Sequence, residues 1–368
     1  MRTIVFAGGG TGGHLFPALA IGRAIRAIDP GVRQVHAGAV RGVEATILPA
    51  RGVPHRLFPF QPLHRRQWWR NLAWPGLART LVREIDGWLD DIVPDLVIGT
   101  GGYVSAPVVW RAARRRIPTA ILELDVRPGL ATRLVASWVT EIWLATEASR
   151  AGLPAKARAR AHLTGAPILP PDPERRSEAR ARFGFDPDRP VLIVTGGSQG
   201  SLALNRAVAA WLDGGGGDGL QVIWATGPRT HAEFAARHQP PFRHVLDFID
   251  PMADAWAVAD LALTRAGRMT LAEVTAWGIP AILVPLPSAA ADHQTPNARA
   301  AQAAGYAVHL PQRELTPARL ETEISAILGD PVRREAMRVA ARRAALPDAA
   351  IVLARRALAL IMPAYESM

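Results

Sequence analysis

The chain has 368 residues, 49% of them hydrophobic and 20% charged, which is the composition of a folded protein large enough for two domains. It contains no cysteine, so disulfides, thiolate metal ligands and a cysteine nucleophile are excluded. A formal net charge of +11 favours a polyanionic partner, either phosphate-rich ligands, an anionic membrane surface or nucleic acid. Because no nucleic-acid-binding motif is present, we expect no nucleic acid partner. The sequence has no run of about eighteen uncharged apolar residues, so any membrane contact is expected to be peripheral.

One pattern occurs twice along the chain. Each copy is a buried-strand pattern, a glycine loop and an apolar-periodic helix, namely Thr3–Ala7, Gly8–Gly13 and the helix to Ile28, then Val191–Thr195, Gly196–Gly200 and Leu202–Leu212. A strand, a glycine loop and a helix in this order open a nucleotide-type α/β domain. Two such openings predict two domains of this kind.

Strands and helices alternate in the rest of the chain. Further strands are predicted at Gln34–Ala37, Leu96–Ile98, Thr119–Leu122, Glu141–Ala145, Gln221–Trp224, Leu261–Leu263 and Ala281–Val284, and further helices at Leu77–Ile92, Tyr103–Arg115 and Arg175–Phe183. This alternation predicts an α/β fold with two doubly wound, Rossmann-like domains and parallel sheets. Prolines crowd the stretch 167–173, which indicates a linker. The predicted domains are residues 1–165 and 166–346, and a C-terminal amphipathic helix at 347–368 is expected to pack back on the first.

The first glycine loop includes Thr11, Gly12 and Gly13 and opens a helix. Glycine N–H groups at a helix N-terminus can bind an oxyanion, although a tight structural turn has the same pattern. The loop does not match a dinucleotide-binding motif with its distant acidic partner, and it lacks the lysine of a P-loop. His14 follows directly, and a histidine there can act as a general base near neutral pH or can simply cap or pack the helix.

The second glycine loop adds side-chain donors. Ser198 and Gln199 lie in the turn and can bind a diphosphate, or the turn can be purely structural. Arg265 follows a later strand and can pair bidentately with phosphate or form a surface salt bridge. The next helix is predicted to begin at Thr270, which puts Glu273 in its first turn. A carboxylate there can favour the helix dipole or accept hydrogen bonds from both hydroxyls of a ribose.

Together these motifs resemble the MurG family of glycosyltransferases, in the order seen in that family. They are Gly9–His14 with Phe16–Ala18, Gly101–Ser105, Gly196–Gly200, Phe248–Ile249, Thr264–Gly267 with Glu273, and the segment of His293, Gln294 and Asn297. The resemblance covers essentially the whole chain. It implies a GT-B glycosyltransferase fold with two domains facing across a cleft. It also implies inverting transfer of N-acetylglucosamine (GlcNAc) from UDP-GlcNAc to the 4-hydroxyl of the muramic sugar of undecaprenyl-linked lipid I, which gives lipid II in peptidoglycan synthesis.

The resemblance also implies residue roles. His14 is the expected base, and the expected donor-binding residues are Thr11, Gly12, Gly13, Asp125, Ser198, Gln199, Ile249, Arg265, Arg268, Met269, Thr270, Leu271, Ala272, Glu273 and Gln294. Within this set, the Ile249 backbone is expected to hold the uracil and Glu273 the ribose. Ser198 is expected at the diphosphate and Gln294 at the sugar. The resemblance implies no cofactor and no essential metal.

Two segments depart from the family pattern. Where the family usually reads His-Glu-Gln-Asn the chain has Leu122-Glu123-Leu124-Asp125, and where it usually reads Gly-Asn-Pro-Val-Arg the chain has Gly165-Ala-Pro-Ile-Leu169. Asp125 keeps acceptors for a sugar but lacks the amide donor. Arg268, where the family commonly has a small residue, can replace the arginine charge missing at Leu169. The alternatives are a GT-B glycosyltransferase with another lipid or small-molecule acceptor, a UDP-GlcNAc epimerase, and a non-catalytic nucleotide-sugar-binding scaffold at the membrane.

Tryptophan and arginine interleave in the segment 58–77. Tryptophan prefers the headgroup boundary and arginine is attracted to anionic lipid, so we expect a peripheral membrane contact. The resemblance implies that this contact is at the cytoplasmic face of the inner membrane. The residues expected at this surface are Trp68, Trp69, Trp74, Arg66 and Arg70. A buried aromatic cluster with solvated arginines is the alternative.

Overall fold

The structure, a computed structural model, describes residues 1–60, 74–287, 292 and 294–362, with the backbone alone for 74–78. The chain divides into two compact units. Unit 1 comprises residues 1–168 together with 348–368, and unit 2 comprises residues 169–347. Among the described residues, none of the helices is long and apolar enough to cross a membrane.

The described part of unit 1 is a seven-stranded parallel sheet with helices packed on it. The strands are β1 (Thr3–Gly8), β2 (Arg33–Ala39), β3 (His55–Phe58), β4 (Leu96–Gly101), β5 (Thr119–Glu123), β6 (Glu141–Leu144) and β7 (Ala161–Leu163). The helices are α1 (Gly12–Ile28), α2 (Glu44–Ala50), α3 (Trp74–Ile92), α4 (Gly102–Arg114), α5 (Leu130–Val135) and α6 (Ala155–Arg158), and the C-terminal helix (Ala349–Ile361) joins them.

The strand order of this sheet is β3-β2-β1-β4-β5-β6-β7. β1 lies inside the sheet between β2 and β4, and all six of its residues are buried, because helices cover both faces of a parallel sheet. From β1 the chain proceeds to β2 on one side, and from β4 it proceeds to β5 on the other. The carboxyl ends of β1 and β4 therefore form the crevice in which doubly wound sheets bind their ligands.

Two apolar layers cover the faces of this sheet. Alternate β1 residues point to opposite faces, so Val5 packs towards α3 and α4 while Ile4 packs towards α1 and the C-terminal helix. Leu353 of the C-terminal helix is fully buried in the second layer. In the same helix, Arg356 donates two hydrogen bonds to the carboxylate of Glu141, at 2.9 and 2.7 Å. Apolar burial and a bidentate ion pair thus attach this helix to unit 1.

The described part of unit 2 is a six-stranded parallel sheet, in the order β10-β9-β8-β11-β12-β13. The strands are β8 (Val191–Thr195), β9 (Gln221–Ala225), β10 (Arg243–Leu246), β11 (Leu261–Thr264), β12 (Ala281–Leu283) and β13 (Ala307–His309). The helices are α7 (Arg175–Phe183), α8 (Leu202–Asp213), α9 (His231–Phe234), α10 (Met252–Val258), α11 (Arg268–Trp277), α12 (Gln294–Ala303), α13 (Pro317–Leu328) and α14 (Pro331–Ala344). Here the crevice at the switch in strand order lies beyond the carboxyl ends of β8 and β11.

The prediction of an α/β fold with two parallel sheets is confirmed, and β8 and α7 have the predicted ends. The sequence reading omitted β3, β7, β10 and β13. These strands have only three or four residues and include arginine or histidine, so they give no apolar run. The predicted start of α11 at Thr270 was wrong. The helix begins at Arg268 after Gly267, which puts Glu273 in its second turn rather than its first.

Candidate functional site

The first glycine loop follows β1 at the crevice of unit 1. Gly10 has a φ of +89°, a left-handed conformation that glycine adopts without strain. At Gly8 an added Cβ would lie 1.9 Å from Thr100 Oγ1, so the loop also needs glycine to pass close to β4. The Thr100 hydroxyl donates to the His14 carbonyl at 2.8 Å and joins the first turn of α1 to the end of β4.

His14 lies in that first turn, with its ring turned back towards the loop. Its Nδ1 is 3.3 Å from the Gly9 carbonyl oxygen and 3.2 Å from Thr11 Oγ1. Because a carbonyl oxygen only accepts hydrogen bonds, the contact with Gly9 is a hydrogen bond when Nδ1 carries the hydrogen, and Nε2 then has a lone pair in the neutral ring. This is the tautomer that a general base acting through Nε2 requires.

Two glycines at the start of α4 make room for the imidazole. A Cβ on Gly101 would lie 2.6 Å from His14 Cδ2, and one on Gly102 would lie 2.3 Å from the Gly9 carbonyl oxygen. Burial lowers the pKa of His14, while the hydrogen bond to Gly9 and the charges of Asp125 and Glu44 act in the opposite direction. The net direction is down, so the imidazole is neutral at physiological pH, as a base must be before it accepts a proton.

Asp125 lies just beyond β5, at the same edge of the sheet. Its backbone N–H donates to Glu123 at 2.9 Å, and its carbonyl accepts a hydrogen bond from Ser149 at 2.6 Å. Glu123 is buried and also accepts a hydrogen bond from Gly129, and burial raises the pKa of its carboxyl. The structure therefore brings Asp125 and the predicted residues 11–14 to one edge, where the charge of Asp125 acts on His14.

Unit 2 has a cavity of about 340 Å³ at the carboxyl ends of β8 and β11. It is lined by Gly196, Gly200, Ser201, Leu202, Ala203, Arg265, Leu286, Gln294 and Gln312. The N-terminus of α8 opens at this cavity, where Ser201 caps the helix by accepting a hydrogen bond from Leu204 N–H at 3.4 Å. The positive end of the helix dipole and the backbone of the glycine turn suit an anion here.

Arg265 provides a buried cation at this cavity. One terminal nitrogen donates to the carbonyls of Val284 and Pro285, both at 3.0 Å, and the other donates to Ser201 Oγ at 2.6 Å and Gln312 Oε1 at 2.7 Å. These acceptors are all neutral, and among the described residues no carboxylate pairs with Arg265. Burial lowers the pKa of its guanidinium to about 10, so it stays charged.

This geometry corrects one prediction for Arg265. Both terminal nitrogens already donate hydrogen bonds within the protein, so they are not free for the predicted bidentate contact with phosphate. The surface salt bridge considered as its alternative is also wrong, because the residue is only 6% exposed. What the side chain supplies is a positive charge at the cavity wall that no carboxylate in the described part of the chain neutralises.

Sequence reasoning missed two polar residues of this cavity. Ser201 and Gln312 both bind Arg265, whereas the predicted Ser198 and Gln199 are not among the lining residues. The signal for Ser201 was present, since a serine directly before an apolar-periodic helix is a typical N-cap. Gln312 lies 47 residues from Arg265, and no local pattern indicates that contact.

The predicted residues of α11 have different surroundings. Arg268 donates to Asn297 Oδ1 at 2.7 Å, and Asn297 donates to the Ala266 carbonyl at 3.0 Å. Met269, Thr270 and Ala272 are half-buried, but the Leu271 side chain is 2% exposed and belongs to the core. The predicted contact of Leu271 with the nucleotide is therefore left to its backbone.

Three further predicted donor contacts can be located. Glu273 is half-buried, and burial raises the pKa of its carboxyl to about 7 while the Trp256 indole opposes part of the rise. The Ile249 side chain is buried in the core, which leaves its backbone for the predicted contact with uracil. Gln294 lines the cavity and accepts a hydrogen bond from Leu286 N–H at 3.0 Å.

The predicted membrane surface lies outside the described side chains. Trp68, Trp69, Arg66 and Arg70 fall in 61–73, and Trp74, which begins α3, is described by its backbone only. His293 of the resemblance also lies outside the described residues.

Comparison with known families agrees with the division of the fold into two units. The glycosyltransferase family 28 N-terminal domain matches residues 4–144, and the glycosyltransferase family 28 C-terminal domain matches residues 191–352. Fold and matched domains thus define a family 28 glycosyltransferase, and the predicted enzyme class is confirmed.

Similar proteins specify the family further. Relatives from Salinibacter ruber and Mycobacterium tuberculosis are both named UDP-N-acetylglucosamine–N-acetylmuramyl-(pentapeptide) pyrophosphoryl-undecaprenol N-acetylglucosamine transferase. They are 41% and 39% identical over 97% of this chain, which corresponds to 96% and 89% of their own lengths. A crystal structure of Acinetobacter baumannii MurG is similar with a TM-score of 0.72 and 25% identity, over 97% of this chain and 99% of that one. The chain belongs to this family of transferases, and the resemblance seen in the motifs is confirmed.

Proposed function

We propose that this chain transfers GlcNAc from UDP-GlcNAc to the 4-hydroxyl of the muramic sugar of lipid I, with inversion at C1, and so makes lipid II for peptidoglycan. The observation that carries the proposal is identity of about 40% along 97% of the chain to transferases named for this reaction. The two crevices are chemically suited to it. One contains a neutral histidine with a free base nitrogen, and the other has a buried positive charge for a diphosphate.

His14 is the proposed base. Its Nε2 lone pair takes the proton of the acceptor hydroxyl as the oxygen forms its bond to C1 of GlcNAc. The bond from C1 to the diphosphate oxygen breaks, and UDP leaves with the electron pair. The Nδ1 hydrogen bond to Gly9 holds the imidazole in the required tautomer throughout. A positioned base of this kind contributes roughly 10²–10⁴-fold to the rate.

Unit 2 is proposed to bind the donor. The diphosphate gains negative charge as UDP leaves, and the cavity beside the glycine turn has N–H donors, a helix N-terminus and the charge of Arg265. A helix terminus alone contributes about 0.3–2 kcal/mol, so the reaction needs several of these groups together. Ser198, Gln199 and Arg268 remain proposed diphosphate ligands, and Met269, Thr270, Ala272 and the Leu271 backbone remain proposed neighbours of the nucleotide. The Ile249 backbone is proposed for uracil, Glu273 for ribose, Gln294 for the sugar, and Thr11, Gly12, Gly13 and Asp125 for the opposite side of the donor.

The test of this reaction uses purified full-length chain, labelled UDP-GlcNAc and lipid I in detergent. Labelled disaccharide lipid is the expected product. Formation of UDP-ManNAc without acceptor would instead identify a UDP-GlcNAc epimerase, and donor binding with no product would identify a nucleotide-sugar-binding scaffold. Turnover with another acceptor but not with lipid I would make the protein a different glycosyltransferase of the same fold.

The proposal includes peripheral binding at the cytoplasmic face of the inner membrane, where lipid I is held. Support comes from the sequence, because three tryptophans interleave with arginines in a chain of net charge +11. Replacing Trp68, Trp69 and Trp74 by serine is expected to lower sedimentation with anionic vesicles while soluble-acceptor turnover is kept. Equal sedimentation of variant and unaltered protein would favour the alternative, in which these tryptophans form a buried aromatic cluster.

A further inference from the structure

Glu44, at the start of α2, is an acidic residue that the motifs did not single out. Its side chain is fully buried beneath the first glycine loop. Both carboxylate oxygens accept a hydrogen bond from Gly10 N–H, at 3.0 and 2.9 Å, and one of them also accepts from Ala39 N–H at 2.8 Å. A buried carboxylate is costly unless such donors satisfy it, so its position is strongly determined.

Glycines provide the space for this carboxylate. A Cβ on Gly9 would lie 2.1 Å from a Glu44 oxygen, one on Gly42 would lie 2.2 Å from it, and one on Gly38 would lie 2.5 Å from Glu44 Cγ. The loop after β1, the end of β2 and the turn before α2 thus all leave room for the same side chain. A loop that is only a tight turn does not require this.

Glu44 and His14 are hydrogen-bonded to opposite ends of one peptide unit. Gly10 N–H and the Gly9 carbonyl are the two polar groups of the peptide bond between Gly9 and Gly10. Glu44 accepts from the N–H of this unit, and His14 Nδ1 donates to its carbonyl oxygen. Hydrogen bonds in series polarise one another, so a negative charge at the N–H end strengthens the acceptor at the carbonyl end.

We propose that Glu44 is a positioning residue for the transfer reaction, acting on His14 through the Gly9–Gly10 peptide. It fixes the Nδ1–H tautomer and the ring orientation and stabilises the imidazolium that forms when Nε2 takes the acceptor proton. The arrangement resembles the aspartate–histidine pair of hydrolases, with a peptide unit inserted between carboxylate and imidazole. This inference rests on the proposed function, in which His14 is the base.

Other groups also face the imidazole and must be separated from Glu44. Asp125, beyond β5, acts on His14 by charge, and from α4 the Tyr103 ring lies against Gly10, where an added Cβ would be 2.7 Å from its Cε1. The β4 side contributes the uncharged Thr100, Gly101 and Gly102. Among the described residues, Glu44 is the carboxylate joined to the ring by an unbroken pair of hydrogen bonds.

The test is Glu44→Gln in the full-length protein, followed by ¹⁵N NMR of labelled histidines, with His14 assigned by its loss in His14→Ala. The unaltered protein is expected to show His14 with hydrogen on Nδ1. In Glu44→Gln the pKa of His14 is expected to fall by about 0.5–1 unit, since a nearby opposite charge is removed. The acid limb of kcat should move down by the same amount. We expect kcat to fall about tenfold, part of the contribution of a positioned base, with the KM for UDP-GlcNAc unchanged.

The matched control is Glu141→Gln. It removes another mostly buried, hydrogen-bonded carboxylate of unit 1, at the opposite end of the strands, and is expected to lower stability without moving the pKa of His14. An unaltered protein with hydrogen on Nε2, a measurement that needs no variant, would overturn the proposal. So would a folded Glu44→Gln in which the His14 titration and tautomer are unchanged. If the titration moves as expected but no lipid I product forms in the unaltered protein, the coupling stands and the proposed function fails.

Discussion

Replacing Gly101 by alanine tests whether the position of the His14 ring matters. The new Cβ would lie 2.6 Å from His14 Cδ2, whereas ordinary contacts begin at 3.4 Å, so the ring must move by about 0.8 Å. A misplacement of about 1 Å in a reacting group can cost roughly 10²-fold in rate. The φ of +102° at this position adds backbone strain of about 1–3 kcal/mol for any residue with a side chain.

The assay measures kcat for lipid II formation at saturating UDP-GlcNAc, with thermal unfolding in parallel. For Gly101→Ala we expect kcat to fall about 10²-fold and the midpoint of unfolding to fall as well. The control is Gly87→Ala in α3, where nothing lies within 4 Å of the added Cβ, so activity should be unchanged and stability should rise by about 0.5–1 kcal/mol. A folded Gly101→Ala protein that keeps kcat within threefold of the unaltered protein would refute the reasoning.

Three other predictions concern the base, the ribose contact and the C-terminal helix. His14→Ala should lower kcat by about 10²–10⁴-fold with similar UDP affinity, and near-normal turnover would exclude it as base. Burial raises the pKa of Glu273 to about 7, above its unfolded value. Ionisation of this carboxyl therefore costs stability as pH rises through 7. The ionised form is, however, the better acceptor for ribose hydroxyls. UDP affinity measured by calorimetry should therefore increase from pH 6 to 8. Glu273→Gln should remove that increase and should make the protein relatively more stable at pH 8. An unchanged pH dependence of UDP affinity in Glu273→Gln would argue against the ribose contact. Arg356→Met should cost about 1–3 kcal/mol in chemical denaturation because it removes both guanidinium hydrogen bonds from Glu141, which keeps the Trp143 indole as a donor. The exposed Arg355→Met should change stability little, and equal effects of the two would contradict the attachment of the helix through Arg356.

The glycine loops and the central strands could be predicted because their signals are local. β1 and β8 are apolar runs directly followed by glycines, and the period of the next segment changes to that of a helix. His14 could be singled out for the same reason, as the residue that follows the loop. Sequence patterns of this kind locate the parts of the chain that open each crevice.

The supporting groups could not be predicted, because they are brought together by strand register. Glu44 is 34 residues from Gly10, and no motif connects the two positions. Its burial follows from the parallel pairing of β1 with β2, which brings the turn after β2 beneath the loop after β1. The surroundings of Arg265 were misjudged for a similar reason, since its acceptors come from the two residues after β12, from Ser201 at the start of α8 and from Gln312.

The C-terminal helix has a consequence for how the protein is made. Its buried face belongs to the same apolar layer as Ile4 and Phe6 of the first strand, although about 345 residues separate them along the chain. During synthesis, all of unit 2 emerges before this helix does. The part of this apolar layer that the helix covers must therefore stay open to solvent, or be held by chaperones, until residues 349–361 leave the ribosome, and a chain truncated before residue 349 should expose that part permanently.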